Sequence, residues 1–354
     1  MSSMTDHRRA LLLMPCLVAA SMAASAPAAD LSLAERVDAV IEEWVSQERI
    51  VGGVVLVARD GDVLYRRAAG YADRERHTEV SADTIFRLAS MSKTIVSATA
   101  LALVDRGYLS LDDTVEEWLP YFRPGLTDGS RPPITVRQLK THTSGLSYGF
   151  FEERDSPYIT NRVSNGLDQP GLPLEENLRR LASAPLKFAP GTGWQYSLST
   201  DVLGAVVEQA AGVPLPEAVA RYITRPLGMR DTAFVPVDAA RLARPYRDGE
   251  SRAVAMDADA DVIPLGPGVP FSPLRALDAS SYASGGAGLC GTAGDYLRFL
   301  DAIRRGGTPI LTPRSAAMLR EHAIGRLRAD SEGPGWGFSL GAAVLLDPRA
   351  AETP

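Results

Sequence analysis

The chain has 354 residues, 45% of them hydrophobic, which suffices for one large core or two modest ones because the buried fraction of surface grows with length. Its 37 basic and 43 acidic side chains give a formal net charge of −6, with the basic residues scattered among the acids. Such a surface offers no positive field to a phosphate backbone, so no nucleic acid is expected as a partner.

The first stretch reads as a secretory signal. His7, Arg8 and Arg9 form a basic n-region, Ala10 to Ala20 an apolar h-region, and Ala26-Pro27-Ala28 a small-residue cleavage site. Residues 1–28 are expected to be removed, leaving residues 29–354 in the periplasm or outside the cell. The apolar run is broken by Pro15, and neither it nor any later segment reaches the roughly 20 apolar residues of a membrane helix, so stable membrane insertion is not expected. Cys16 falls inside the signal. Cys290 then stands alone, without a partner for an intramolecular disulfide.

Ser32-Leu33-Ala34-Glu35 has the spacing of a capping box, and Leu33, Val37, Val40, Ile41 and Trp44 recur at helical period. Val51 to Ala58 and Val63 to Ala69 are β-rich runs around Asp60-Gly61, a two-residue hairpin signal. From Leu88 to Ala211 the signals are mostly helical, interrupted by loops rich in Pro, Gly and Ser. Val262 to Pro273 reads as a long surface loop over a cleft, Asp295 to Ile303 as a helix, and Trp336 to Leu346 as one strand. The pattern predicts an α/β lobe from 29–87 and 283–354, with a mainly helical lobe from 88–282 inserted between them.

Ser90 precedes the long apolar helix expected over Thr94 to Val104, and Lys93 follows it by three residues. Serine and lysine at this spacing share one helical face, so the amine reaches the hydroxyl, and the helix N-terminus favours an attacking alkoxide. The tetrapeptide alone is a weak signal and fits an N-cap serine followed by a solvated lysine somewhat better. Two rival serines lie in Gly-x-Ser-x-Gly strings, Ser147 in Gly145 to Gly149 and Ser339 in Gly337 to Gly341. A nucleophile elbow needs a strand before the serine, a helix after it, and an acid and a histidine later in the chain. Neither string has that context, so the two read as a loop serine and a strand serine. His7, His77, His142 and His322 show no metal-ligand spacing.

Five segments in order carry a resemblance: RLASMSK (Arg87 to Lys93), ITVRQLKTHTSGL (Ile134 to Leu146), PLKFAPGTGWQY (Pro185 to Tyr196), PLGMRDTAF (Pro226 to Phe234) and GGAGLCGTAGD (Gly285 to Asp295). Together they resemble the serine β-lactamase/penicillin-binding-protein superfamily, with its two-lobed α/β plus α fold: an antiparallel sheet with flanking helices, and an inserted mainly helical lobe. The resemblance implies an acyl-enzyme on Ser90, with Lys93 and Tyr196 as proton carriers, and no metal or organic cofactor. Where class C β-lactamases carry asparagine two residues after the tyrosine, this chain has Leu198, which cannot hydrogen-bond a β-lactam amide. The string from Tyr196 to Gly204 is similar to that of family VIII carboxylesterases, which implies a short-chain ester as substrate. A β-lactamase or D,D-peptidase using the same residues on a β-lactam-like amide is the alternative, and a non-catalytic ligand-binding protein is the rival of another class.

The family's third motif, Lys-Thr-Gly or Trp-Gly-Gly on a cleft strand, is absent. Trp336-Gly337-Phe338 reads as the preceding strand. The expectation is a chain truncated at its C-terminus that lacks half of its oxyanion hole and shows little esterase activity. His142, Ser144 and Trp194 are expected to be structural, and Gly285, Gly286 and Gly288 to permit close backbone approach rather than to bind phosphate.

Overall fold

The first helix, α1 (Leu33–Ser46), begins where Ser32 accepts the Glu35 amide and the Glu35 carboxylate accepts the Ser32 amide, the reciprocal capping the sequence announces. This computed structural model describes residues 32–256, 261–263, 268–329 and 332–353. The signal segment 1–28 and Cys16 lie outside the described residues. Of the apolar stripe on α1 only Ile41 is fully buried, and Val40 and Trp44 are exposed. The helix is tied to the sheet instead by Arg67, which pairs with Asp38 and Glu42.

Strands β1 (Gly52–Arg59) and β2 (Asp62–Asp73) form the expected hairpin. Asp60 and Gly61 both take positive φ, as the tight two-residue turn demands. Strand β3 (Thr78–Glu79) adds to β2. Next, β4 (Phe86–Arg87) pairs antiparallel with β9 (Cys290–Gly291), bringing two segments about two hundred residues apart side by side just before Ser90. The remaining strands form three small antiparallel pairs: β5 (Tyr246–Arg247) with β6 (Val254–Ala255), β7 (Asp261–Ile263) with β8 (Val269–Phe271), and β10 (Trp336–Phe338) with β11 (Ala343–Leu345).

Two of these pairs correct the sequence reading. The expected loop of Val262 to Pro273 contains β8 paired to β7. Buried Val269 and Phe271 flank exposed Pro270, a period-two pattern that the Gly and Pro content hid. The single strand expected over Trp336 to Leu346 is a hairpin. Ser339 breaks it by accepting the Ala342 amide and donating to the Leu319 carbonyl, while Gly341 has a φ of +139°.

The helices are α2 (Ser92–Val104), α3 (Val115–Trp118), α4 (Val136–Lys140), α5 (Pro157–Thr160), α6 (Leu174–Ala182), α7 (Ser199–Ala211), α8 (Leu215–Val219), α9 (Ala293–Arg304) and α10 (Pro313–Met318). Helix α2 is buried continuously from Ile95 to Leu103 and α7 from Ser199 to Val207. Apolar around its whole circumference, α2 is a central helix that neighbours enclose on all sides. The two helices pack together, and side chains that enter the cleft from their N-terminal ends are fixed by the largest core in the molecule. At Gly285 a Cβ would lie 2.4 Å from the Thr200 carbonyl oxygen, so the glycine segment lies directly on α7.

Candidate active site

Ser90 is exposed and sits in a 3₁₀ turn, Ala89–Met91, immediately ahead of α2 rather than within its first turn. The residue before it, Ala89, has a φ of +45°. A non-glycine residue in this region stores roughly 1–3 kcal/mol of strain, which persists where the surroundings over-determine the backbone and concentrates at functional turns. Here the surroundings are the β4–β9 pair, the Leu88 amide bonded to the Leu289 carbonyl, and the Ser92 hydroxyl that accepts the Leu289 amide at 3.0 Å.

Lys93 lies on the first turn of α2 and is 4% exposed. Its Nζ donates to the Gly286 carbonyl at 2.8 Å and to Ser90 Oγ at 3.3 Å. The same Nζ stands 4.6 Å from the Tyr196 ring centroid and 5.4 Å from that of Tyr148. The structure therefore brings Ser90, Lys93 and Tyr196 to one place. Tyr196 meets the amine through its ring, and its hydroxyl makes no hydrogen bond among the described residues.

The rival serines are placed elsewhere. Ser147 is completely buried, with its amide donating to the Tyr158 hydroxyl, and Ser339 is completely buried in the β10–β11 turn. Neither meets solvent, so neither can attack a substrate. His142 is buried, its Nδ1 3.1 Å from the Ser197 hydroxyl. From there a chain of hydroxyls runs through Ser199 to Ser144, with separations of 2.8 and 2.7 Å. Burial first, and then the charge of Lys93, hold the His142 imidazole well below its usual value. Its ring packs 4.7 Å from that of Tyr196. Trp194 packs against His142 and Phe338. Gly285, Gly286 and Gly288 each admit another group too closely for a Cβ, matching the role expected of them.

The sequence reading left Asp201 and Tyr148 unassigned. Asp201 is 1% exposed, and a Cβ on Gly286 would sit 2.6 Å from its Oδ2 and 3.2 Å from the Tyr148 hydroxyl. Burial holds the Asp201 carboxyl above the usual range, opposed by the nearby Ser284 hydroxyl and then by the charge of Lys93. Ser284 and the Gly286 amide are close enough to act on it, yet neither reaches hydrogen-bonding geometry with either oxygen. Burial likewise pushes the Tyr148 phenol up, with Tyr196 and Asp201 adding to it. An acid within the apolar stretch Val202-Leu203 and its neighbours was the available signal, because a charged residue on a buried helix needs a reason to be there. Lys140 is the second buried lysine, its Nζ donating to the Ser97 carbonyl at 2.7 Å.

A family model described as Beta-lactamase matches residues 37–348. The chain is 50% identical over 327 residues to Esterase EstB of Burkholderia gladioli, a match that covers 91% of this chain and 83% of that protein. EstCE1, a solved structure described as a hydrolase with promiscuous acyltransferase activity, superposes with a TM-score of 0.87 at 43% identity, over 90% of this chain and 84% of its own. A simvastatin synthase from Aspergillus terreus, the LovD6 mutant, superposes with a TM-score of 0.70 over 91% of this chain and 84% of its own; at 23% identity this is a likeness of fold alone.

Proposed function

The chain belongs to the β-lactamase family of serine hydrolases, and from that premise we propose that it is a carboxylesterase acting on short-chain esters, with Ser90 as nucleophile, Lys93 as general base and Tyr196 as a second proton carrier. The observation that carries this reading is the solvent-facing Ser90 hydroxyl 3.3 Å from a lysine amine otherwise out of water.

In the proposed cycle Lys93 takes the Ser90 proton as Oγ attacks the ester carbonyl carbon. The carbonyl electron pair moves onto oxygen and returns as the C–O bond to the alcohol breaks. The alcohol leaves with the proton carried back from Lys93, assisted by Tyr196. Water then attacks the acyl-enzyme by the same proton path, releasing the acid and restoring Ser90. The Gly286 carbonyl steadies the lysine throughout, and the strained turn at Ala89 presents Oγ without rearrangement.

The ester reading draws on Leu198, whose side chain carries no hydrogen-bonding group for a β-lactam amide and which is buried. It also draws on a cavity of about 260 Å³ lined by Phe150, Ile159 and Val163 and by the polar or charged Glu152, Arg154, Asn165 and Asp168. Phe150 stacks on Tyr148 at 4.7 Å, which links this cavity to the lysine, and its size suits a short acyl or alkoxy group.

The test is labelling with a fluorophosphonate, followed by rates on p-nitrophenyl butyrate and nitrocefin. Label on Ser90 and faster turnover of the ester are expected, with both lost in Ser90→Ala. A Ser90→Ala protein that keeps more than about a hundredth of the rate, while Ser147→Ala is inactive, would reverse the nucleophile assignment. Nitrocefin turnover exceeding that of the ester would reverse the substrate class. We further propose export with cleavage of residues 1–28, checked by N-terminal sequencing of the periplasmic protein.

A further inference from the structure

A lysine that takes a proton from Ser90 becomes a cation in a place nearly out of water. Lys93 is buried, and its amine donates to the Gly286 carbonyl and to Ser90 Oγ without an ion pair to any acid among the described residues. A buried ammonium ion is costly unless a negative charge stands near it. Asp201 carries such a charge. It lies in the first turn of α7, where the helix dipole favours an anion, and neither of its carboxylate oxygens accepts a hydrogen bond among the described residues. A buried carboxyl without partners is rare, and beside an active site it points to a functional reason.

Gly286 joins the two groups. Its carbonyl accepts Lys93 Nζ at 2.8 Å, and a Cβ on the same residue would stand 2.6 Å from Asp201 Oδ2. By covalent geometry that oxygen lies within about 9 Å of the amine, and the charge of Lys93 is felt at Asp201. Gly285 lies directly on the Thr200 carbonyl, so the first turn of α7 and the segment that holds the amine cannot drift apart. Asp201 is faced also by Tyr148, Tyr282, Ser284 and the Gly286 amide, and by Arg275, whose influence ranks below that of Lys93 and whose Nε and Nη2 go to the Asp168 and Tyr282 carbonyls. Lys93 is faced also by the Tyr148 and Tyr196 rings and by His142. Asp201 is the one carboxylate in this set. Resting on the reading of Lys93 as the base, we infer that Asp201 is a positioning residue for the reaction: its carboxylate, held across Gly286, stabilises the Lys93 ammonium that forms as Ser90 attacks. It touches no substrate and takes no proton.

A negative charge at this range favours the ammonium form by about one pH unit, or about tenfold. It does so in the resting enzyme, where the ammonium is inactive, and in the transition state, where it is forming. Removing the charge therefore moves two observables in opposite senses of benefit. The acid limb of kcat/KM shifts to lower pH, because the neutral amine persists further into acid, and the plateau falls, because the forming ammonium has lost its counter-charge. The test is the pH profile of p-nitrophenyl butyrate hydrolysis for Asp201→Asn, which keeps the shape, and Asp201→Ser, which is smaller, with rates normalised to folded monomer. Both variants should show the limb lower by about 0.5 to 1.5 units, the plateau down about tenfold or more, KM within a factor of a few and Ser90 still labelled by fluorophosphonate, though more slowly. A purely structural role would lower the plateau without moving the limb, and that result overturns the inference. So does an unchanged plateau, or failure of both variants to fold, which would make Asp201 a structural group. Failure of the reading beneath it looks different: the parent enzyme would then escape labelling at Ser90, or stay active as Lys93→Met.

Discussion

Replacing Lys93 with methionine separates the base from its surroundings more cleanly than any other change in the site. The side chain is 4% exposed, with Nζ 2.8 Å from the Gly286 carbonyl and 3.3 Å from Ser90 Oγ. Methionine fills nearly the same volume between the Tyr148 and Tyr196 rings but can neither take nor return a proton. A positioned general base contributes about 10² to 10⁴ in rate, or roughly 2.7 to 5.5 kcal/mol at about 1.4 kcal/mol per decade. The change in stability should be small, because two effects oppose one another. Losing a buried hydrogen bond costs about 0.5 to 1.5 kcal/mol, while removing an amine from a buried position relieves a desolvation cost of similar order. The expected outcome is kcat for p-nitrophenyl butyrate down by at least a hundredfold, with KM within a factor of a few and Tm within several degrees of the parent. Rates are normalised to folded monomer. A Lys93→Met enzyme within tenfold of the parent rate would refute the assignment. Loss of activity that merely follows loss of folding would show that the lysine is a structural group.

Tyr196→Phe keeps the ring over the amine and removes the hydroxyl, so kcat should fall by roughly 10² or more with an altered pH profile; an unchanged rate and profile would remove the tyrosine from the mechanism. Gly285→Ala places a Cβ 2.4 Å from the Thr200 carbonyl oxygen, where only backbone movement makes room, and should lower stability by about 1 to 3 kcal/mol in chemical denaturation. Burial holds the His142 imidazole well below the ordinary histidine value of about 6.5, so the unfolded chain binds a proton that the native chain refuses. Stability is fully present above about pH 6.5 and drains away as the pH falls from there toward the lowered native value. His142→Asn should flatten the Tm–pH curve between about pH 6.5 and 5; an equally steep fall in the variant would place the acid sensitivity elsewhere.

Local signals in the sequence were enough for the parts whose geometry is local. The Ser32 capping box, the Asp60-Gly61 hairpin and the apolar helix after Ser90 are fixed by residues within a few positions of one another. The Ser90–Lys93 contact is of this kind too, because helical spacing alone puts the two side chains on one face. The brevity of the β8 strand and the turn at Ser339 escaped detection, since each rests on alternation or side-chain bonding over three or four residues, too short to give a periodic signal. What only the tertiary structure decided depends on contacts between distant segments. The carbonyl that holds Lys93 belongs to Gly286, the ring over it belongs to Tyr196, and the strained turn at Ala89 is held by β9. Burial is settled at the same level: it removed Ser147 and Ser339 from contention, and it placed the Asp201 carboxylate out of solvent with no hydrogen-bond partner among the described residues. Periodicity records which face of a helix is apolar, but the neighbours that reach a side chain across the core follow from how the helices and strands pack.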